Sequence, residues 1–241
     1  MHLILFDIDG TLISGLGMGR RALVKTFAES FGKDPADHPA VDTIHFAGST
    51  DTYIFAEMVK AFGIPEDAVD GRVDAFLTDY VRNLRDSVAA TSDKHPCPGI
   101  PEILPRLQAH PDIVLGLLTG NWEVGARIKL EPFGLNRYFP FGGFGDDGVE
   151  RQVLARFARE RAEAATGTSF PPERVLVIGD TVADVAAARA HGYVMAGVAT
   201  GWDTAEVLER AGADAVFADL TPGNGFHAWL DARWGLAPAL A

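Results

Sequence analysis

From residue 98 onward, short apolar runs rich in β-branched residues alternate with stretches whose apolar residues recur at helical spacing. Strands are read at 113–118, 139–144, 175–178, 193–198 and 215–217, and helices at 99–109, 123–134, 149–165, 182–191, 204–211 and 225–233. One further strand, 3–6, opens the chain. Such alternation builds a parallel sheet covered by helices on both faces, with right-handed crossovers. The expected fold is therefore α/β, a doubly wound, Rossmann-like parallel sheet.

The segment between the first two strands breaks the alternation. Ala22, Leu23, Phe27 and Phe31 recur at helical spacing; Ile54, Phe55, Met58, Val59 and Phe62 mark a helix over 52–62; Val69, Val73, Phe76, Leu77, Tyr80 and Leu84 mark another over 65–87. The segment is far too long for a βα connection and too regular to be unstructured. An all-helical cap subdomain, residues 15–95, is expected above the strand ends, on a core made of 1–14 and 96–241. Pro96, Pro98 and Gly99 mark its return, and 237–241 read as a loose tail.

Composition narrows the partners. The 241 residues carry a formal net charge of -12, which disfavours nucleic acid and anionic membranes. An anionic ligand would need local positive charge from a metal, an arginine or helix N-termini. Cys97 is the single cysteine, so no intrachain disulfide can form, in keeping with a reducing compartment. No apolar run approaches the ~20 residues needed to span a bilayer. Asp7 and Asp9 interrupt the apolar start and no basic leader precedes it, so no signal peptide is read. A cytoplasmic protein, monomer or homodimer, is expected.

Three strands end on chemistry. Asp7 and Asp9, in Asp7-Ile8-Asp9-Gly10-Thr11, are two residues apart at the end of the first strand. Carboxylates that close repel and call for a cation or a proton. A plain Asp-Gly turn accounts for Asp9-Gly10 but leaves Asp7 a buried charge without purpose. Thr119-Gly120-Asn121 follows the 113–118 strand and offers neutral donors for phosphate oxygens, although a loop with Asn121 as helix cap fits equally well. Gly179-Asp180-Thr181 ends the 175–178 strand, with Asp184 one helical turn on. Capping of that helix explains one of those acids and not both. Arg151, in the first turn of its helix, reads alone as a surface arginine and gains interest from its place between these segments. In a parallel α/β sheet, residues at the carboxyl ends of the strands share one crevice.

These segments, in this order, resemble the four motifs of the haloacid dehalogenase superfamily, and the helical insertion is similar to the cap of its phosphoglycolate-phosphatase-like branch. The resemblance spans essentially the whole chain. It implies that Asp7 attacks phosphorus to form an aspartyl-phosphate, and that Asp9 protonates the leaving oxygen and then activates water. Thr119 would bind the phosphoryl group, assisted by groups near Gly10, Thr11, Gly120 and Asn121. Mg²⁺ would be held by Asp7, the Asp9 carbonyl and Asp180, with Asp184 in support. The third motif is most often lysine in relatives. Lys129 falls too early, in the helix directly after the second motif, which leaves Arg151 for that role.

The resemblance thus implies a Mg²⁺-dependent phosphatase for a small phosphorylated metabolite such as phosphoglycolate. Arg20, Arg21, Gly48, Ser49, Thr50 and Asp51 are placed by position near its leaving group. Asp9, Asp180 and Asp184 argue against a true dehalogenase. The absence of lysine from 45–56 argues against phosphonate cleavage through a Schiff base. A sugar-phosphate mutase and a non-catalytic binding module are the remaining alternatives.

Overall fold

The computed structural model describes residues 1–235 except 16, 34, 36, 37 and 40; the tail read at 237–241 lies outside them. Among the described residues, six strands form one sheet: β1 (His2–Phe6), β2 (Ile113–Leu118), β3 (Gly142–Gly143), β4 (Val175–Gly179), β5 (Val194–Val198) and β6 (Ala215–Phe217). All pairings are parallel, in the order β3-β2-β1-β4-β5-β6. The chain winds outward from β1 on one side and then returns to build on the other. The winding reverses between β1 and β4, and ligands bind at such a crevice.

The helices are α1 (Met18–Phe31), α2 (Asp51–Ala61), α3 (Glu66–Asp70), α4 (Val73–Ala90), α5 (Ile100–Ala109), α6 (Glu123–Leu130), α7 (Arg151–Thr166), α8 (Val182–Ala190), α9 (Ala205–Ala211) and α10 (Phe226–Trp234). Successive side chains of a strand point to opposite faces, so each inner strand feeds two cores. Ile4, Phe6, Leu117 and Ile178 pack with Ile100, Ile103 and Leu104 of α5. Leu3, Leu5, Val175 and Val177 pack with Leu154 and Ala158 of α7 and Val185 of α8. Burial on both faces is why these strands read as unbroken apolar runs.

Between residues 15 and 95 the described residues contain no strand. Phe27, Phe31, Phe55, Phe62 and Phe76 form an aromatic cluster between the helices. Phe55, Phe76 and Tyr80 meet the Trp122 ring edge-on, with centroids 6.4, 6.3 and 5.0 Å away. Trp122 follows β2 closely, so the inserted helices and one face of the sheet share a single apolar cluster. The outgoing and returning chains pair where they cross: Ser14 N donates to His95 O at 2.8 Å and Cys97 N to Leu12 O at 3.0 Å.

Three elements differ from the sequence expectation. The helix read at 65–87 is two, α3 and α4, parted at Gly71-Arg72, where glycine has little helix propensity. Arg72 there turns its guanidinium to the Ser30 carbonyl and over the Phe31 ring. The helix read at 123–134 stops at Leu130, because Pro132 can neither donate nor clear the preceding turn. The strand read at 139–144 shrinks to Gly142–Gly143, with Pro140 unable to contribute a ladder donor. No helix among the described residues is long and apolar enough to cross a membrane.

Candidate active site

Register brings the motifs to one level. Phe6 lies opposite Leu117 on one side and Ile178 on the other, so the chain leaves β1, β2 and β4 in one crevice. Asp7 is buried there, its N–H donating to Ile178 O at 2.9 Å. Gly10 follows with φ of +87°, and a Cβ at this position would sit 2.5 Å from Asp180 Oδ2. Only glycine lets this turn close onto the carboxylate. Asp180 is fixed by Thr11 Oγ1, which donates to Oδ1 at 3.1 Å, and by Trp202 N, which donates to Oδ2 at 2.8 Å. The amides of Gly10 and Thr11 donate to Ile13 O and Ile8 O at 2.9 and 3.3 Å. Their amides pair within the turn, and the Thr11 hydroxyl is engaged with Asp180.

Asp7, Asp180 and Asp184 each place a carboxylate oxygen within 4.8 Å of the others. Arg151 enters from the first turn of α7. Its Nη2 is 2.8 Å from Asp7 Oδ1 and 2.5 Å from Asp184 Oδ1, and all three side chains are buried. Asp184 Oδ2 accepts from Thr181 Oγ1 at 2.6 Å and Thr181 N at 3.1 Å, a reciprocal cap that starts α8. Asp180 and Asp184 thus each have both oxygens engaged, and the three carboxylates together are near enough to share a cation. Burial raises the Asp7 carboxyl above its ordinary range against the pull of Arg151. Burial raises Asp180 as well, reinforced by repulsion from Asp7 and Asp184. Three carboxylates facing one guanidinium leave a deficit of positive charge, and hard oxygen donors suit Mg²⁺. The residues therefore fit that ion.

Lys129, set aside in the sequence as too early, is in the site. Its Nζ donates to Asp9 Oδ2 at 2.7 Å and to Asn121 Oδ1 at 2.6 Å. Asn121 Nδ2 donates in turn to Asp9 Oδ2 and to Thr119 Oγ1, both at 2.8 Å. Asn121 is thus no helix cap; the first amides of α6 go to remote acids, Trp122 N to Asp51 Oδ2 at 3.0 Å and Glu123 N to Asp146 Oδ2 at 2.5 Å. The signal for Lys129 lay in helical spacing. Trp122, Gly125, Ala126 and Lys129 share one face, and that face is buried.

The loop before α2 closes over these groups. Asp51 N donates to Gly120 O at 2.7 Å, and a Cβ on Gly120 would collide with the Ser49 carbonyl. Arg151 Nη1 reaches Gly48 O at 3.3 Å. A cavity of about 100 Å³ remains, walled by Asp7, Asp9, Thr119, Gly120, Asn121, Lys129 and Arg151 below and by Arg20, Phe46, Gly48, Ser49 and Asp51 above. Arg20 lies 4.7 Å from the centre of the Phe46 ring. Arg21 turns away to Thr91 Oγ1 at 2.6 Å, and Thr50 caps α2 while its hydroxyl donates to Val149 O at 3.0 Å. Asp51 also accepts from Tyr80 OH at 3.3 Å, and burial pushes its carboxyl up to about 6, opposed by Lys129 and the Trp122 N–H.

Acids and cations at the carboxyl ends of β1, β2 and β4 define a hydrolase-type site on a doubly wound sheet. A family model described as haloacid dehalogenase-like hydrolase matches residues 1–192, and the chain belongs to that family. It is 30% identical over 225 residues to the phosphoglycolate phosphatase of Agrobacterium fabrum, covering 91% of each chain. It is 30% identical to the phosphoglycolate phosphatase of Rhodospirillum rubrum over 99% of this chain and 97% of that one. Its fold is similar to CbbY from Rhodobacter sphaeroides, solved in complex with phosphate, with a TM-score of 0.68 and 22% identity over 92% and 96% of the two chains.

Proposed function

We propose that this chain is a Mg²⁺-dependent phosphomonoester hydrolase acting on a small organic phosphate, phosphoglycolate-like, through an aspartyl-phosphate on Asp7. The observation that carries the reading is Asp7 itself, a buried carboxylate at the floor of the cavity, oriented by Arg151 and set beside Asp180. Mg²⁺, held by Asp7 and Asp180, would offset the repulsion between anionic nucleophile and anionic phosphate. Asp7 attacks phosphorus, Thr119 donates its hydroxyl to a phosphoryl oxygen, and Asp9 gives its proton to the leaving oxygen. Asp9 then accepts a proton from the water that cleaves the acyl phosphate. Arg151 keeps Asp7 aligned in both steps, and Asp184 anchors Arg151.

Residues 15–95 act in this reading as a cap domain over a core of 1–14 and 96–241, excluding water from the closed cavity. The substrate class is supported by three things: the small cavity, the curated relatives, and Arg20. Lys129 and Arg151 face carboxylates, whereas Arg20 forms no ion pair among the described residues. A guanidinium in the cap wall suits a leaving group that carries its own anion, as the carboxylate of glycolate does.

Phosphate release from phosphoglycolate, from an ester with an uncharged tail and from p-nitrophenyl phosphate, each with Mg²⁺ or EDTA, tests the reading. Turnover should need the metal, vanish in Asp7→Asn, and favour the anionic tail. Arg20→Ala should narrow that preference by raising KM for phosphoglycolate about tenfold or more. Turnover that survives EDTA or Asp7→Asn rejects the mechanism.

A further inference from the structure

Lys129 is a buried cation with no part in the reaction as set out above. Its ammonium and the Asn121 amide both donate to one oxygen of Asp9, Oδ2. Asp9 Oδ1 accepts no side-chain hydrogen bond from the described residues, and Asp9 borders the cavity. The two oxygens of the carboxyl that moves the proton are therefore inequivalent. A second feature shows that the ammonium is held deliberately close. Gly19 of α1 passes over it, and a Cβ there would lie 3.0 Å from Lys129 Nζ and 3.4 Å from its Cε. The inserted helix thus seals Lys129 against the cavity floor, where its side chain is 4% exposed.

We infer that Lys129 is a positioning residue for leaving-group protonation. Together with Asn121 it pins Asp9 Oδ2, so that the transferable proton is carried on Oδ1, the oxygen with no side-chain partner among the described residues. The inference rests on the roles given above to Asp7 and Asp9. In the step concerned, the Asp7 oxygen–phosphorus bond forms, the ester oxygen–phosphorus bond breaks, and the proton on Asp9 Oδ1 passes to the departing oxygen. The products are the phosphorylated Asp7, the free alcohol and the Asp9 carboxylate. An ammonium donates more strongly to a carboxylate than to a carboxylic acid. The Lys129–Asp9 bond therefore tightens as the proton leaves, which places its benefit in the transition state rather than in substrate binding.

The leaving group supplies the test. A p-nitrophenolate departs without protonation, whereas an alkoxide such as that of glycolate needs a proton. The two substrates are compared by kcat/KM, which covers steps up to loss of the leaving group and excludes later hydrolysis of the phosphoenzyme. Lys129→Met should lower kcat/KM for phosphoglycolate at least about tenfold more than for p-nitrophenyl phosphate, part of the 10²–10⁴ that general acids contribute. Asn121→Ala should show the same bias. The ratio between substrates cancels the amount of folded enzyme, so instability alone cannot create it, and Lys129→Gln serves should the Met variant fail to fold. Equal losses on both substrates, with Asp9→Asn still showing the bias, overturn the role of Lys129 and leave the mechanism standing. Hydrolysis of phosphoglycolate by Asp7→Asn overturns the mechanism itself.

Discussion

Arg151 lies between Asp7 and Asp184 at 2.8 and 2.5 Å, and its removal would leave both carboxylates buried against Asp180 without a counter-charge. Breaking a buried ion pair from one side costs about 3–5 kcal/mol. Arg151→Ala should lower unfolding free energy in urea by that order, and EDTA should make the loss larger by removing the competing cation. Arg151→Lys keeps the charge but has a different reach and loses the second nitrogen that meets Gly48 O. It should fold and yet turn over about 10²-fold more slowly. Asp51 carries a different electrostatic signature. Burial sets its carboxyl near about 6 in the folded chain, against about 3.9 in an unfolded one. The folded state therefore holds more protons between about pH 4 and pH 6, and the contribution of Asp51 to stability declines as pH rises through that window. Urea titrations in EDTA should show Asp51→Asn gaining on the parent by about 3 kcal/mol between pH 4 and pH 7. At this scale the sequence pointed to Asp7, Asp9, Asp180 and Arg151 as neighbours, because each sits at a strand end or a helix start. Helical spacing grouped Lys129 with Trp122, Gly125 and Ala126, but it did not show that this face is covered by α1 from 110 residues earlier in the chain.

The elements that position the site were legible where side chains set them. The run at 113–118 matches β2 residue for residue, since a strand buried on both faces admits little but apolar side chains, and the run at 215–217 matches the half-buried edge strand β6. β3 was read too long, as 139–144, because Gly142 and Gly143 have no side-chain pattern of their own to set its ends. Its glycines answer to the helix above. A Cβ on Gly143 would run into the backbone carbonyl of Leu154 in α7. Gly143→Ala must therefore push α7 outward, and Arg151 is the first residue of that helix. The expected cost is about 1–3 kcal/mol in urea unfolding, with a fall in kcat/KM that exceeds any change in KM. Gly223→Ala, at a surface turn with nothing within 4 Å of the new methyl group, should leave both measurements unchanged.

At the scale of the whole molecule, the net charge of -12 and the acids concentrated at the switch point of the sheet act together. β1 and β4 can run side by side with Asp7 and Asp180 at their ends only if something offsets the repulsion that adjacency creates. Arg151 offsets part of it, and the carboxyls of Asp7 and Asp180 are raised by burial first and then by the repulsion among these acids. Binding of a cation by these acids would thereby be linked to folding, because they gather into a site only in the folded chain. A ligand that binds only the folded state stabilises it by RT ln(1 + [L]/Kd), about 2.7 kcal/mol at a hundredfold excess over Kd. Mg²⁺ should therefore raise the thermal midpoint of the parent protein in a concentration-dependent way, without any substrate present. Asp180→Asn removes one negative charge and a ligand at once, so the metal-free variant should melt at or above the metal-free parent and respond to Mg²⁺ weakly or not at all. Scanning calorimetry across a Mg²⁺ series reads both effects. An unchanged midpoint in the parent, or an undiminished Mg²⁺ response in Asp180→Asn, would show that the convergence of these strand ends serves something other than a divalent cation.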